Sequence, residues 1–163
     1  MSETREFQSA SARETEALGE ALGRLLGPGD VVALDGELGG GKTCFVRGLA
    51  RGLGVTVPVS SPTFQLMHTY AGRLPLYHLD AWMRERGEGF LAEGGAEWLR
   101  AEGVAAVEWA AHVRDWLPTP RFEVELRHGG ADGGEERRTV VMRWTGPTGR
   151  LAGLGPTASS EKA

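Results

Sequence analysis

The stretch Gly36-Glu37-Leu38-Gly39-Gly40-Gly41-Lys42-Thr43 fits G-x-x-x-x-G-K-[ST], the pattern of a phosphate-binding loop. Its neighbours decide what the pattern means for the fold. Before it, Val31-Val32-Ala33-Leu34 is a short apolar run that reads as a buried strand. After it, Phe45 or Val46, Leu49, Ala50 and Leu53 recur at helical spacing. Strand, glycine-rich turn, helix is the order such a loop needs, so an α/β fold with a P-loop-type mixed sheet is expected. Four glycines allow turns that a side chain would forbid, so several N–H groups can face one anion. A helix opening at Lys42 adds unpaired N–H groups and the positive end of its dipole. Lys42 brings a full charge to the outer phosphates, and the Thr43 hydroxyl is placed to ligate Mg2+. The candidate phosphate contacts are therefore Glu37, Leu38, Gly39, Gly40, Gly41, Lys42, Thr43 and the adjacent Cys44. Lysine usage agrees: Lys42 has one companion, Lys162, and every other basic residue is arginine. Lysine is kept where a compact ammonium on a flexible stem is wanted.

At 163 residues the chain is long enough for one domain with a real core. A net charge of −4 argues against a protein that grips nucleic acid alone through a broad basic face. The single cysteine, Cys44, rules out an internal disulfide and fits a reducing compartment. No apolar run approaches a membrane span, and the polar N-terminus lacks a signal-peptide core. A cytoplasmic protein without membrane contact is expected.

Working outward, Ser11 to Leu26 reads as a helix with Leu18, Ala21, Leu22 and Leu25 on its apolar face and Ser11 with Glu14 as a capping box. Ser60-Ser61-Pro62-Thr63-Phe64 is loop chemistry: either it offers hydroxyls to phosphate or metal, or it is an ordinary turn before a strand. Phe64–Tyr70 and Leu74–Leu79 read as a hairpin that ends in His78-Leu79-Asp80. Val104-Ala105-Ala106-Val107 is another buried strand and ends in Glu108-Trp109. Two carboxylates, each at the end of an apolar strand beside one phosphate-binding loop, are what phosphoryl transfer requires: one for the Mg2+ shell, one to order the attacking water. No second histidine stands at ligand spacing from His78, so it reads as packing or orienting, not as a metal ligand. Residues 84–95 are polar and poorly periodic, a mobile connection with short helical pieces. Residues 121–128 and 137–144 alternate as an antiparallel pair at a sheet edge. One domain over 1–145 and a disordered tail over 146–163 are expected.

Several motifs in order carry a family resemblance. They are Asp35 to Thr43 with Phe45 and Arg47-Gly48, Ser61-Pro62-Thr63-Phe64, Tyr77-His78-Leu79-Asp80, Glu93-Gly94-Gly95 and Val107-Glu108-Trp109. From the first helix to Trp144 the chain resembles the TsaE (YjeE-type) family, ATPases of tRNA threonylcarbamoyladenosine synthesis. The resemblance implies slow ATP hydrolysis with Mg2+, in support of TsaB and TsaD, the pair that transfers the threonylcarbamoyl group next to the anticodon. It implies tRNA contact only through those partners. It makes Thr43 and Glu108 the Mg2+ ligands and Asp80, with Lys42, the catalytic residues. Thr63 falls in a loop that resembles a nucleotide-sensing switch, and Thr15 and Arg137 stand as candidate adenine contacts. The chain departs from the family at Ala81-Trp82-Met83-Arg84 and at Cys44.

A small-molecule kinase would use the same loop and carboxylates, although residues 84–95 offer no clear lid of clustered arginines. A GTPase is disfavoured, because the chain contains no asparagine and so no Asn-Lys-x-Asp guanine reader. A binding-only protein would need no second placed carboxylate. Arg84 and Arg86 are the candidates for an arginine acting on the phosphates from within the chain.

Overall fold

The computed structural model describes residues 2–37, 39, 41–129, 136–147 and 149–154. Its strands are β1 (Glu3–Ser9), β2 (Val31–Gly36), β3 (Met67–Tyr70), β4 (Leu76–Asp80), β5 (Val104–Glu108), β6 (Phe122–His128) and β7 (Arg138–Trp144). Its helices are α1 (Ala12–Leu25), α2 (Lys42–Gly52) and α3 (Arg84–Ala92), with 3-10 helices at Gly95–Arg100 and Ala110–Trp116. One seven-stranded sheet runs in the order β1-β7-β6-β2-β5-β4-β3. The pairs β6/β2, β2/β5 and β5/β4 are parallel. The β1/β7, β7/β6 and β4/β3 pairs are antiparallel. Strands β4 and β5 are buried throughout, because helical layers cover both faces of a parallel centre. Strand β2, which leads into the glycine-rich loop, lies in the middle, so its carboxyl end and those of β5 and β4 open side by side.

Two apolar clusters sandwich the sheet. Leu18, Leu22, Val32, Leu34, Phe45, Leu49 and Ala106 belong to the cluster under α1 and α2. Val31, Ala33, Leu79, Leu91, Val107 and Val113 belong to the one under α3 and the 3-10 helices. Alternation along β2 and β5 deals neighbouring residues to opposite clusters. Helices α1 and α2 cross in direct backbone contact. A methyl on Gly48 would stand 1.9 Å from the Glu16 carbonyl oxygen, and one on Gly19 2.2 Å from that of Phe45. Gly23 and Gly52, one turn further along each helix, are as close, at 2.5 and 2.4 Å from the Leu49 and Glu20 oxygens. This glycine seam fixes α2 against α1 and so sets where the helix N-terminus points.

Three sequence expectations change. The antiparallel edge is present, but β1 adds a strand outside β7. In β1 only Phe7 is a large apolar residue, so its period-two signal is faint. Residues 84–92 are a nine-residue helix with Gly87 and Leu91 turned inward. The expected tail is structured as far as it is described. Leu151 and Leu154 are buried, and Arg150 pairs with Asp30 at 2.5 Å while lying over the rings of Phe122 and Trp144. A Gly/Pro-rich composition hid two core leucines; residues 155–163 lie outside the described residues.

Candidate functional site

The site forms where α2 begins. Its N-cap is Gly41, with φ of 100°, a left-handed conformation that glycine adopts without strain. No side chain caps this helix, so its first N–H groups remain for a ligand. Gly39, with φ of 75°, turns the loop before it. Leu38 and Gly40 lie outside the described residues. Glu37 contributes its backbone: its carbonyl oxygen accepts from Lys42 Nζ at 2.9 Å, while its exposed carboxylate lies 3.9 Å from the His128 imidazole. Lys42 Nζ also donates to Gly36 O at 2.8 Å and sits 3.9 Å above the Trp109 ring. Two carbonyls occupy two of three ammonium protons and leave the third for an anion. Burial lowers the Lys42 pKa below the usual 10.5, opposed by the carboxylates of Glu108, Asp35 and Asp80.

Glu108 and Asp80 are register partners on adjacent parallel strands and project on the same face as α2. Both are buried. Thr43 Oγ1 lies 3.1 Å from each Glu108 carboxylate oxygen, which joins the start of α2 to the end of β5. Asp80 Oδ2 accepts from Ser61 Oγ at 3.2 Å and from Thr63 Oγ1 at 2.9 Å, and Oδ1 accepts from the Trp82 N–H at 2.8 Å. The Ser-Pro-Thr loop thus spends its hydroxyls on Asp80, a use that sequence chemistry left open. Trp109 walls the site. Its left-handed backbone (φ 58°), uncommon for a bulky residue, turns the chain out of β5 and sets its ring 4.5 Å from that of Trp82. These residues, with Gly39, Gly41 and Cys44, line one open cavity of about 370 Å³.

A second cavity of about 220 Å³ is lined by Ala12, Thr15, Gly41, Cys44, Glu136 and Arg138 and shares Gly41 and Cys44 with the first. Thr15 lines this cavity, and its hydroxyl pairs with Ser9 Oγ at 2.7 Å. Arg137 is exposed and does not line the cavity; Arg138 does, and its guanidinium donates to Gly39 O at 2.9 Å. Adjacent strand residues face opposite ways, so an error of one position exchanges the two arginines. The Cys44 thiol lies 3.2 Å from Ala12 O, and burial pushes its pKa up, which keeps it protonated and unreactive. Arg84 and Arg86 do not line the cavity; Arg86 donates to Phe64 O at 3.2 Å. Sequence reasoning offered the Ser61 hydroxyl to phosphate or metal rather than to Asp80 and missed Trp82, because both contacts depend on how the loop folds.

The donor set suits a hard cation shared with phosphates. Among the described residues no group of three or more His, Cys, Asp or Glu side chains could hold a metal. One hydroxyl and one carboxylate beside an uncapped helix N-terminus match Mg2+, which is bound through one or two protein oxygens plus substrate phosphates and water.

The family model described as "Threonylcarbamoyl adenosine biosynthesis protein TsaE" matches residues 9–139. The chain belongs to the TsaE family. A TsaE-family relative from Treponema pallidum, a tRNA threonylcarbamoyladenosine biosynthesis protein, is 44% identical over 73% of this chain and 88% of its own length. The Bacillus subtilis TsaE-family protein of the same name is 38% identical over 83% of this chain and 85% of its own. The crystal structure of Bacillus subtilis YdiB superposes with a TM-score of 0.75 at 32% identity, covering 90% of this chain and 88% of that one. The shared sheet is therefore a P-loop fold, and relatives named for tRNA modification disfavour the small-molecule kinase reading. Among the described residues, no helix is long and apolar enough to cross a membrane.

Proposed function

We propose that this chain binds ATP with Mg2+ and hydrolyses it slowly, in support of threonylcarbamoyladenosine formation on tRNA by TsaB and TsaD. One observation carries the reading: Lys42, Thr43, Glu108 and Asp80 surround a single cavity at an uncapped helix N-terminus. The backbone N–H groups of Gly41 to Cys44 hold phosphate oxygens, and Lys42 adds its remaining proton and charge. Thr43 and Glu108 would hold Mg2+, which would offset phosphate charge. Asp80 has three donors on a carboxylate with about four acceptor positions, so one position remains to orient a water. The Trp82 and Trp109 rings stand together beside that position. Among the described residues no arginine lines this cavity, and a charge supplied by a partner raises such rates by roughly 10³–10⁵. Turnover by the chain alone is accordingly slow. The acidic balance leaves tRNA to the partners, in a cytoplasm where Cys44 stays reduced.

The test is the ATPase rate of the purified chain, alone and with the TsaB–TsaD pair, with GTP as control. A slow ATP-specific rate that changes when the pair is added is expected. A rate indifferent to the pair would overturn the coupling, and no hydrolysis under either condition would overturn the ATPase reading.

A further inference from the structure

His78 has no part in the chemistry above, yet its placement is costly. It stands in the middle of β4, fully buried, where a leucine would pack without desolvation. Its Nε2 lies 2.5 Å from Glu108 Oε2. Its Nδ1 is buried without a hydrogen-bond partner among the described residues. The two facts fix the proton. A lone pair on Nε2 would face a carboxylate oxygen, and an N–H on Nδ1 would have no acceptor. Nε2 therefore carries the proton, and its N–H donates to Glu108. The sheet makes the contact possible. On the α2 face, His78 is directly opposite Ala106, and Glu108 is two residues further along β5, the diagonal neighbour. The small Ala106 side chain leaves room for the ring to reach across.

We propose that His78 is a positioning residue for the metal-holding carboxylate: its N–H fixes the rotamer of Glu108 so that, with Thr43, it presents oxygen to Mg2+. The inference rests on the proposal that Glu108 holds Mg2+. From the protein side Glu108 is gripped at one oxygen by His78 and approached at both by Thr43. The Thr43 hydroxyl is itself claimed as a metal ligand, so the histidine is the one donor free to orient the carboxylate while Mg2+ is bound. Outer-shell donors of this kind typically change metal affinity by about 10–100-fold.

The experiment titrates a fluorescent ATP analogue into the full chain, with Mg2+ and with EDTA, for wild type, His78→Leu, His78→Gln and Glu108→Gln. His78→Leu removes the orphaned Nδ1 but also one donor to the buried Glu108 carboxylate, which keeps Thr43, so its thermal melt is recorded beside that of wild type. It should reduce the Mg2+-dependent gain in affinity by about tenfold or more and leave the EDTA affinity within twofold. His78→Gln, which restores a side-chain N–H, should recover most of that gain. Equal losses with Mg2+ and with EDTA, or no recovery by glutamine, would reduce His78 to a packing residue and overturn the inference. If Glu108→Gln abolishes the Mg2+ dependence while His78→Leu preserves it, the positioning role alone fails. If Glu108→Gln also preserves it, the metal assignment of Glu108 fails, and the inference with it.

Discussion

At the scale of single residues, the site separates binding from turnover. Lys42 faces the ligand with charge, whereas Asp80 is held by Ser61, Thr63 and Trp82 on the far side of the cavity. Asp80→Ala should therefore leave ATP affinity within about twofold and lower the hydrolysis rate by roughly 10²–10⁴, the range of a positioned acid–base group. Equal activity in that variant would remove Asp80 from the chemistry. Lys42→Ala should weaken both binding and turnover; unchanged binding would contradict the loop assignment. The lowered pKa of Lys42 adds a pH signature. Between that folded value and 10.5 the unfolded chain holds more protons, so stability rises with pH across this window. Relative to Lys42→Met, the wild-type chain should gain stability as pH climbs toward 10.5, measured by denaturant unfolding. The residues of this site were legible in sequence where chemistry demands a type at a fixed offset, as in Gly41-Lys42-Thr43, or at a strand end, as in Asp80 and Glu108. Arg138, Trp82 and the pairing of Ser61 with Asp80 were not, because they depend on strand register and loop path.

At the scale of elements, strand–loop–helix order was readable because a short continuous apolar run (β2) and a helical apolar spacing (α2) flank one motif. What set their mutual placement was not. Hydrophobic spacing marked α1 as amphipathic, but its Gly19 and Gly23 meet α2 as bare backbone, and a missing side chain leaves no periodic signal. The seam leads to a prediction. In Gly48→Ala the new methyl would stand 1.9 Å from the Glu16 carbonyl oxygen, on a backbone that gives way only if the helices separate. Overpacking of this kind typically costs about 1–3 kcal/mol and occasionally more. A drop in Tm is expected, together with weaker ATP binding, because α2 carries the phosphate-binding N–H groups. A half-buried control, Gly89→Ala, whose added methyl meets nothing within 4 Å, should show neither effect. A Gly48→Ala variant as stable as wild type would mean that the crossing is looser than described.

At the scale of the whole molecule, the two ends of the chain close the sheet far from the site. Arg5 of the edge strand donates to the carbonyl oxygens of Leu151 and Leu154, and Glu3 accepts from the Leu151 N–H at 2.9 Å. Asp30, at the turn into the phosphate-binding strand, pairs with Arg150. The segment after β7 thus binds β1 and the entry to β2 into the core, which its composition concealed: two leucines among glycines look like a tail until a partner surface exists for them. Leu151 is fully buried in the cluster under α1 and α2. Leu151→Ala should cost about 2–5 kcal/mol, the usual range for truncating a buried leucine. That is a large share of the roughly 5–15 kcal/mol by which a domain is stable. None of the described residues of the segment lines the cavity at Lys42, so ATP affinity below the unfolding transition should stay within twofold. Loss of stability with retained affinity would make the segment a clamp on the fold. Loss of both in proportion would mean that the clamp also sets the geometry at the end of β2, and unchanged stability would return the segment to the status of a tail.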